Sequence, residues 1–435
     1  MVFFLRILVR LFSVLFRPFN RKRREGDTIE CLVVGYGGAN NTGAEARTVE
    51  AIKQMLDADS RIQVTLTSLD RKQTLRYITE HGRLKVQQVN PVFIGCVLRL
   101  VLKSDIVVLV EGSCFKDNFS SALLWFFMYA AELAQKFGKP AVAYAVDAGK
   151  MKPADEKWAK DVANKMDLLM TRTESAAKLL EEMGVKTEIK VTTDTAFTQA
   201  PASNSWIDQC LHSNRIDQRW PIVGISFEEL FWWPVVVKIG KAIFCIKKDH
   251  YKSIYYHSWK EDAKQRSKKM KETIASYADW VAEEFGAQIA FFAMEQLDME
   301  PCKDVQAMMN SRSVLFGADN YNAAQMTGLL RRLSWLMTSR YHALVLSIGG
   351  GVPFIGLAHD ERIESIMDEL KLREDYFINY LEDDILAKLK EKTHKIVSRK
   401  ESLAERISGA EPAYISRMAK NRDFFKELVK TKFPV

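Results

Sequence analysis

The sequence predicts an α/β protein of two Rossmann-like domains that face each other across a central cleft, with an amphipathic helix at the N-terminus. Two observations predict this class. Short apolar runs alternate with helical stretches over residues 28–200, and the same alternation returns over residues 221–380. Such alternation is typical of mostly parallel sheets covered by helices. Residues 201–220, with Pro, Ser and Asn and little periodicity, are predicted to be the linker.

Each domain is predicted as a series of strands with helices between them. In the first domain, strands are expected at residues 29–34, 62–67, 84–89, 106–110, 141–146, 168–172 and 187–192, and helices at 43–56, 92–102, 120–136, 154–165 and 174–183. In the second, strands are expected at 222–226, 288–293, 314–317, 335–339 and 354–357, and helices at 271–285, 322–331, 344–348 and 362–370. The remaining tail, residues 381–435, is charged and is predicted to be helical.

The composition indicates a globular protein with an anionic partner. Hydrophobic residues make up 47% of the 435 residues and charged residues 27%, which is ordinary for a chain with a sizeable core. The net charge of +8 suggests substrate phosphates, an acidic membrane surface or nucleic acid. Because no recognisable nucleic-acid reading motif accompanies the basic runs, nucleic acid is not expected as a partner.

The cysteines and the N-terminus favour a cytoplasmic protein. The six cysteines contain no Cys-x-x-Cys pair, and the N-terminal segment lacks the unbroken apolar core of a secretory signal. The cysteines are therefore predicted to be reduced thiols. No histidine or cysteine cluster has metal-ligand spacing, so neither a metal nor a cofactor is predicted.

Residues 1–27 are predicted to form a basic amphipathic segment that lies on a membrane. Arg6, Arg10 and Arg17 fall near one helical face, and Phe, Leu, Ile and Val form the opposite face. A spanning helix needs about 20 mostly apolar residues, and here charges interrupt the segment. A helix in the interface with anionic headgroups fits better and places the protein peripherally on the inner face of the cytoplasmic membrane. The alternative is a helix packed on the protein's own body.

A second membrane candidate is the insertion at residues 231–260. It combines Trp, Tyr and Phe with Lys, which is an interfacial composition. The alternative is a buried helix followed by an ordinary loop.

The segment Ser339-Arg340-Tyr341-His342 is the most informative part of the chain. It lies where a predicted strand ends and a short helix begins, and open α/β sheets bind ligands at such positions. A helix N-terminus favours anions. A fixed cation and a titratable ring at this point suit a phosphate or carboxylate substrate that needs a proton transfer.

This segment and four others resemble the polysaccharide pyruvyl transferase family. Residues 339–344 and 351–356 resemble its C-terminal signature, and residues 33–46 resemble its N-terminal strand, Gly/Asn loop and helix start. Residues 171–176 and 193–197 resemble two internal motifs. The pieces occur in the expected order over roughly residues 30 to 380.

The resemblance implies a GT-B-like transferase that moves a pyruvyl group from phosphoenolpyruvate to a lipid-linked or cell-surface saccharide, forming a ketal. Such an enzyme must hold a carboxylate and a phosphate, donate a proton and accept one. His342 is predicted to do the acid/base work, because its unperturbed pKa lies near working pH. Arg340 is predicted to pair with the donor's carboxylate or phosphate. The alternative for His342 is a structural histidine that caps a helix.

Substrate-binding residues are predicted in loops that follow strands. The loop at residues 35–43 can bring backbone N–H groups close to an anion, or it forms only a tight turn before a helix. The candidates are Gly37, Gly38, Asn40, Asn41, Gly43 and Glu45 in and after this loop, Ser113 and Asp117 after the strand 106–110, and His359 after the strand 354–357. Cys114 is a further candidate, as a nucleophile, but no partner base can be placed.

Ser226 and Glu228 are the last candidates, and they mark a departure from the family. The family typically has Ile-Ser-x-Arg here, with the Arg implied in holding the donor, whereas this chain has Ile225-Ser226-Phe227-Glu228. A carboxylate at this position would repel a dianionic donor. Two alternatives therefore stay open: a glycosyltransferase with a nucleotide-sugar donor, and a non-catalytic saccharide-binding relative.

Overall fold

The chain forms two parallel sheets flanked by helices, which confirms the predicted α/β class. A computed structural model describes residues 1–24, 26–90, 93–117, 120–229, 236–237, 255–256, 261–358 and 361–434. The predicted membrane-facing insertion at 231–260 lies outside the described residues, except for two short paired strands, β9 (Val236–Val237) and β10 (Tyr255–Tyr256).

The first domain is built on a sheet to which seven described strands contribute. These are β1 (Ile29–Gly37), β2 (Ile62–Ser68), β3 (Leu84–Gln88), β4 (Ile106–Val110), β5 (Ala141–Val146), β6 (Leu168–Thr171) and β7 (Ile189–Val191). Its helices are α1 (Val2–Leu15), α2 (Thr42–Ala58), α3 (Arg71–Thr74), α4 (Ile94–Lys103), α5 (Ser121–Lys136), α6 (Pro153–Ala163) and α7 (Glu174–Glu182), with 3₁₀ turns at Arg17–Phe19 and Thr195–Thr198.

The second domain repeats the plan around a sheet with six described strands. These are β8 (Ile222–Ser226), β11 (Gln288–Ala293), β12 (Ser313–Gly317), β13 (Trp335–Thr338), β14 (Phe354–Ala358) and β15 (Phe377–Asn379). Its helices are α8 (Asn204–Ser213), α9 (Glu261–Phe285), α10 (Met299–Met308), α11 (Ala323–Leu330), α12 (Tyr341–Ile348), α13 (Glu361–Glu369), α14 (Arg373–Tyr376) and α15 (Ile385–Ser398), with a 3₁₀ turn at Gln296–Asp298, and α16 (Lys400–Lys432) ends the chain.

The two sheets are wound in the same way. The first has the order β3-β2-β1-β4-β5-β6-β7 and the second β12-β11-β8-β13-β14-β15, with all neighbours parallel. The winding reverses between β1 and β4 and between β8 and β13. Ligands bind beyond the carboxyl ends of the strands at such points. Strands such as β4, Ile-Val-Val-Leu-Val, are buried along their whole length because helices cover both faces of the sheet.

The structure differs from the predicted elements in several places. The predicted linker at 201–220 contains α8, whose Ile207 and Leu211 are buried in the second-domain core, so it is not an irregular connection. The helix α9 begins ten residues before the predicted start. The elements α10 and β15 were not predicted, because their short and partly exposed segments carry little periodicity.

The last helix, α16, returns to the first domain. Its Phe425 and Val429 are buried in the core on the α2 side of the first sheet, and its Tyr414 stacks on Phe197 with ring centroids 4.3 Å apart. The helical tail predicted at 381–435 thus joins the two domains.

The N-terminal helix α1 packs on the first domain with one side only. Leu5 and Val9 are buried against α5, and Arg6 Nη1 lies 2.9 Å from Asp161 Oδ2 on α6. The other side exposes a set of apolar side chains, called here the α1 apolar face: Phe3, Phe4, Ile7, Leu11 and Val14. Within the described residues, no helix combines the length and the apolar character needed to cross a membrane.

Candidate active site between the two sheets

The candidate site lies where the carboxyl ends of the two sheets meet. The segment after β1 pairs with the segment after β11 across the two domains. The Thr42 N–H donates to the Met294 carbonyl at 2.8 Å, and the Gln296 N–H donates to the Asn40 carbonyl at 3.1 Å. The cleft in this structure is therefore bridged by backbone hydrogen bonds.

His342 lies at the centre of this junction, in the first turn of α12. Its ring packs against Gly43, in the first turn of α2 of the other domain, where a Cβ atom would overlap His342 Nδ1. Gly43 and His342, each predicted separately as a site residue, are thus brought together by close packing rather than by a hydrogen bond.

Behind His342 lies a buried ionic network. His342 Nε2 is 3.4 Å from Asp194 Oδ2, which is longer than an ordinary hydrogen bond. Asp194 is fully buried; its Oδ1 lies 3.2 Å from Arg47 Nε, and its Oδ2 accepts a hydrogen bond from Arg172 Nη1 at 2.5 Å. Burial alone would raise the pKa of Asp194, but Arg47 and Arg172 hold it well below its ordinary value.

Burial keeps His342 neutral. Burial lowers the pKa of His342 below 6.5, and the carboxylate of Asp194 opposes this shift only in part. The neutral imidazole therefore predominates at pH 7 and can accept a proton. The nearby carboxylate of Asp194 can then stabilise the imidazolium.

A second carboxylate, Asp147, joins the same network. Asp147 accepts a hydrogen bond from Arg172 Nη2 at 2.9 Å, and its Oδ2 lies 3.6 Å from Lys116 Nζ and 3.7 Å from Arg362 Nε. The guanidinium groups of Arg172 and Arg362 both lie near the ring of Tyr341, 4.8 and 5.0 Å from its centroid. The cations converge here on the N-terminus of α12.

Arg340 is held by carboxylates on the other side of His342. Its guanidinium forms ion pairs with Glu228 at 3.1 Å, with Glu295 at 2.7 Å and with Asp298. Burial raises the pKa of Asp298 to about 7, although Arg340 opposes the shift. The predicted donor contact of Arg340 would have to compete with these three groups, of which Glu228 is the residue that replaces the family's Arg.

The polar residues of the 35–43 loop are engaged between the domains. Asn41 caps α2 by accepting from the Ala44 N–H at 2.9 Å, and its Nδ2 donates to Glu295 Oε2 at 2.7 Å. Asn40 accepts from Arg76 Nη1 at 3.1 Å. Gly38 has φ +79, and a side chain there would overlap the backbone of Asp70. In this structure the loop forms a tight turn before α2, as in the second of the two predicted alternatives. Gly37 is buried in the same loop.

Glu45 likewise serves the domain junction. It is 2% exposed, and its Oε2 accepts from the Ala323 N–H, the first residue of α11, at 3.1 Å. Burial raises the pKa of Glu45 to about 8, although Arg76 opposes the shift. Its carboxyl group is therefore largely protonated at pH 7.

The remaining candidates are scattered. Ser226 does not fit a substrate role, because it is fully buried and its hydroxyl donates to the Phe292 carbonyl within the sheet. Asp117 accepts from Ser121 and from the Lys152 N–H, both at 3.3 Å, and Ser113 is half-buried in the same loop.

Burial raises the pKa of the Cys114 thiol well above its ordinary value, which disfavours the thiolate that a nucleophile needs. His359 lies outside the described residues.

Sequence reasoning gave no role to Arg47, Asp147, Arg172 and Asp194. Asp147 and Arg172 directly follow β5 and β6, and Asp194 follows β7 within three residues. Applying the carboxyl-end rule to every strand of the sheet would have found these three. Arg47 carries no such signal, because it is a helical residue whose burial depends on the packing of α2.

The comparisons with known proteins agree with this architecture. A family model described as polysaccharide pyruvyl transferase matches residues 41–361, more than half of the chain. No curated protein is detectably similar in sequence.

Among solved structures, the fold is similar to that of the following proteins, among others. HepE from Anabaena in complex with UDP-glucose is 12% identical, with a TM-score of 0.58 over 93% of this chain and 100% of that one. MnaA from S. aureus with UDP is 12% identical, with a TM-score of 0.56 over 88% and 91%. The UDP-GlcNAc 2-epimerase from Methanocaldococcus jannaschii is 14% identical, with a TM-score of 0.52 over 84% and 92%. At these identities the likeness concerns the GT-B-like fold alone.

Proposed function

Since the chain belongs to the polysaccharide pyruvyl transferase family, we propose that it transfers a pyruvyl group from phosphoenolpyruvate to a saccharide and forms a pyruvate ketal. One observation carries this proposal: a histidine at the domain junction, packed against Gly43 of the other domain, with the buried carboxylate of Asp194 3.4 Å from its Nε2. On the Asp194 side of His342, the cations Arg47, Arg172, Lys116 and Arg362 lie with the carboxylates Glu111, Asp147 and Asp194, and we assign the anionic donor to this side.

The chemistry assigns His342 a proton-relay role. In one step, the oxygen of a saccharide hydroxyl bonds to C2 of phosphoenolpyruvate while its proton passes through neutral His342 to the methylene carbon; the carbon–carbon double bond is lost and the methylene becomes a methyl group. The C2–O bond to phosphate then breaks. A second saccharide hydroxyl bonds to C2, its proton leaves with inorganic phosphate, and the ketal is complete. Asp194 acts as a positioning residue that stabilises the transient imidazolium.

The test is release of inorganic phosphate from phosphoenolpyruvate in the presence of candidate saccharides. His342→Gln should lower the rate by about 100-fold or more, because general acid–base catalysis contributes on that order. His212→Gln, on the exposed side of α8, is the matched control and should keep full activity. Equal rates for the two variants would contradict the assignment.

A second candidate function is glycosyl transfer from a nucleotide sugar. The observation that favours it is the ion pair of Glu228 with Arg340, which neutralises the cation expected to hold phosphoenolpyruvate. Melting temperatures with phosphoenolpyruvate, UDP-sugars and GDP-sugars separate the two, since a ligand of the folded state stabilises it by mass action. A shift with a sugar nucleotide alone would favour this second candidate.

For location, we propose that the α1 apolar face enters the inner leaflet of the cytoplasmic membrane and brings the site near a lipid-linked saccharide. Phe3 and Val14 are 78% and 72% exposed, and Arg10 and Arg17 lie exposed beside them for anionic headgroups. Phe3→Ser with Phe4→Ser and Leu11→Ser should abolish binding to phospholipid vesicles without lowering the melting temperature. Unchanged pelleting with vesicles would refute the anchor.

A further inference from the structure

A cavity of about 530 Å³ lies in the first domain, far from His342. It is lined by the early residues of β1, by β3 and by the last turns of α4. None of its lining residues belongs to the network around His342 and Arg340, so the cavity is separate from the candidate active site. We call it the basic trough.

The trough exists because one face of the sheet is left partly uncovered. The β1–β2 and β2–β3 connections lie on the α2 side, where α2 and the residues after α3 cover the sheet. On the other face, α4, α5 and α6 pack over the strands from β1 onward. Beyond α4, this face of β3 therefore keeps exposed side chains, among them Lys85 and Gln87.

The charge of the trough is unbalanced. Arg99 and Lys103 lie four residues apart on one face of α4 and line the trough opposite Lys85. None of these three cations forms an ion pair with another described residue, whereas the fourth, Arg21, is paired with Asp105 at 3.0 Å. Among the described lining residues, Glu30 is the single carboxylate. A site of this kind attracts a phosphate group.

The trough also adjoins the proposed membrane face. The helices α1 and α4 share one hydrophobic core, so they lie on the same side of the sheet. The Arg21 N–H donates to the Leu102 carbonyl at 2.9 Å, which ties the segment after α1 to the end of α4. Phe19 of that segment is 72% exposed and lines the trough. Its wall also includes Leu100 and Leu102 of α4.

We propose that the basic trough binds the phosphate of an anionic phospholipid headgroup while the α1 apolar face enters the same membrane. Lys85, Arg99 and Lys103 contact the phosphate, and Phe19 with Leu100 accompanies the first part of the acyl chains. This inference rests on the proposed membrane location, but it predicts a preference for anionic headgroups beyond the one that Arg10 and Arg17 beside the α1 apolar face create.

The test compares the full chain with two triple variants on vesicles of phosphatidylcholine with or without phosphatidylglycerol. Lys85→Glu, Arg99→Glu and Lys103→Glu should weaken binding to the anionic vesicles by about tenfold or more and leave neutral vesicles unaffected. Lys420→Glu, Lys426→Glu and Lys430→Glu carry the same charge change on exposed positions of α16, across the sheet. They should change binding only a few-fold. An equal loss of binding to anionic vesicles in both variants, or no loss in either, would overturn the proposed headgroup site.

Short-chain phosphatidylglycerol below its micelle concentration tests the trough without a membrane. It should raise the melting temperature of the wild-type chain and of the α1 serine variant, but not of the trough variant. If the wild-type chain does not bind vesicles but shows this shift, the proposed membrane location is wrong and the headgroup site is supported. An equal shift with inorganic phosphate would show a free-phosphate site and overturn the lipid assignment.

Discussion

Gly43 and His342 belong to different domains, and neither can be understood without the other. The imidazole occupies the space that any side chain at position 43 would need. The Gly at this place in the family motif is therefore explained by its steric fit to the histidine. The N-terminus of α2 is a contact surface for the imidazole ring.

Gly43→Ala tests this fit. The new methyl group should displace the His342 ring, cost about 1–3 kcal/mol of stability as overpacking does, and reduce phosphate release about as far as His342→Gln. Gly409→Ala is the control, because a Cβ there meets no neighbouring atom within 4 Å. Full activity in Gly43→Ala would show that the ring position is not critical.

Arg340 is the residue whose expected role is most altered by its surroundings. Arg340→Ala should lower the free energy of unfolding by about 3–5 kcal/mol at pH 7, because it leaves Glu228, Glu295 and Asp298 together without their cation. The loss should shrink as pH falls below 7, because burial raises the pKa of Asp298 to about 7 and its protonation removes one of the unpaired charges. Thermal unfolding of both proteins across this pH range measures the effect; a loss independent of pH would contradict it.

At the scale of elements, the ends of helices form the domain junction. The first turn of α2 supplies Glu45, which caps α11 of the other domain, and the first turn of α12 supplies His342. The first turns of helices leave backbone N–H groups without partners inside the helix, so side chains from the opposite domain satisfy them. The junction is thus polar and titratable rather than apolar.

Glu45 makes this junction pH-dependent. Its pKa of about 8 in the folded protein exceeds the ordinary value of 4.5, so the folded state binds more protons between these values and stability falls as pH rises. Glu45→Gln stays neutral, so its melting temperature relative to wild type should increase from pH 5 to pH 9. Exposed Glu181→Gln is the control. A difference that does not change with pH would refute a buried, protonated Glu45.

At the scale of the whole molecule, α16 couples the domains. It leaves the second domain near Ile407, stacks Tyr414 on Phe197 and buries Phe425 in the core of the first domain. The two sheets therefore share one continuous helix, and neither core is complete without it.

Phe425→Ala should destabilise the protein by about 3–5 kcal/mol, the usual cost of a large-to-small change in a core. Because the domains are coupled, hydrogen exchange should accelerate in both sheets. Ile415→Ala, on the partly exposed side of α16, should cost far less. Faster exchange confined to the first sheet would show that the domains unfold independently.

The sequence alone determined the fold class, the seven strands of the first sheet and the family. These depend on local information: apolar runs of strand length, turn residues between them, and motifs that keep their order along the chain. His342 was found for the same reason, since it follows a strand within a recognisable motif.

Only the tertiary structure decided which groups meet. Arg340 faces Glu228, Glu295 and Asp298, and His342 faces Asp194, because separate strands of both sheets end at one junction. These partners are far apart in the sequence, and no local sequence pattern shows that their side chains lie close together in the fold. The two sides of α1 were likewise undecided until packing buried Leu5 and Val9 and left Phe3 and Phe4 exposed. Periodicity shows that a face is apolar, whereas only its neighbours determine whether protein covers it.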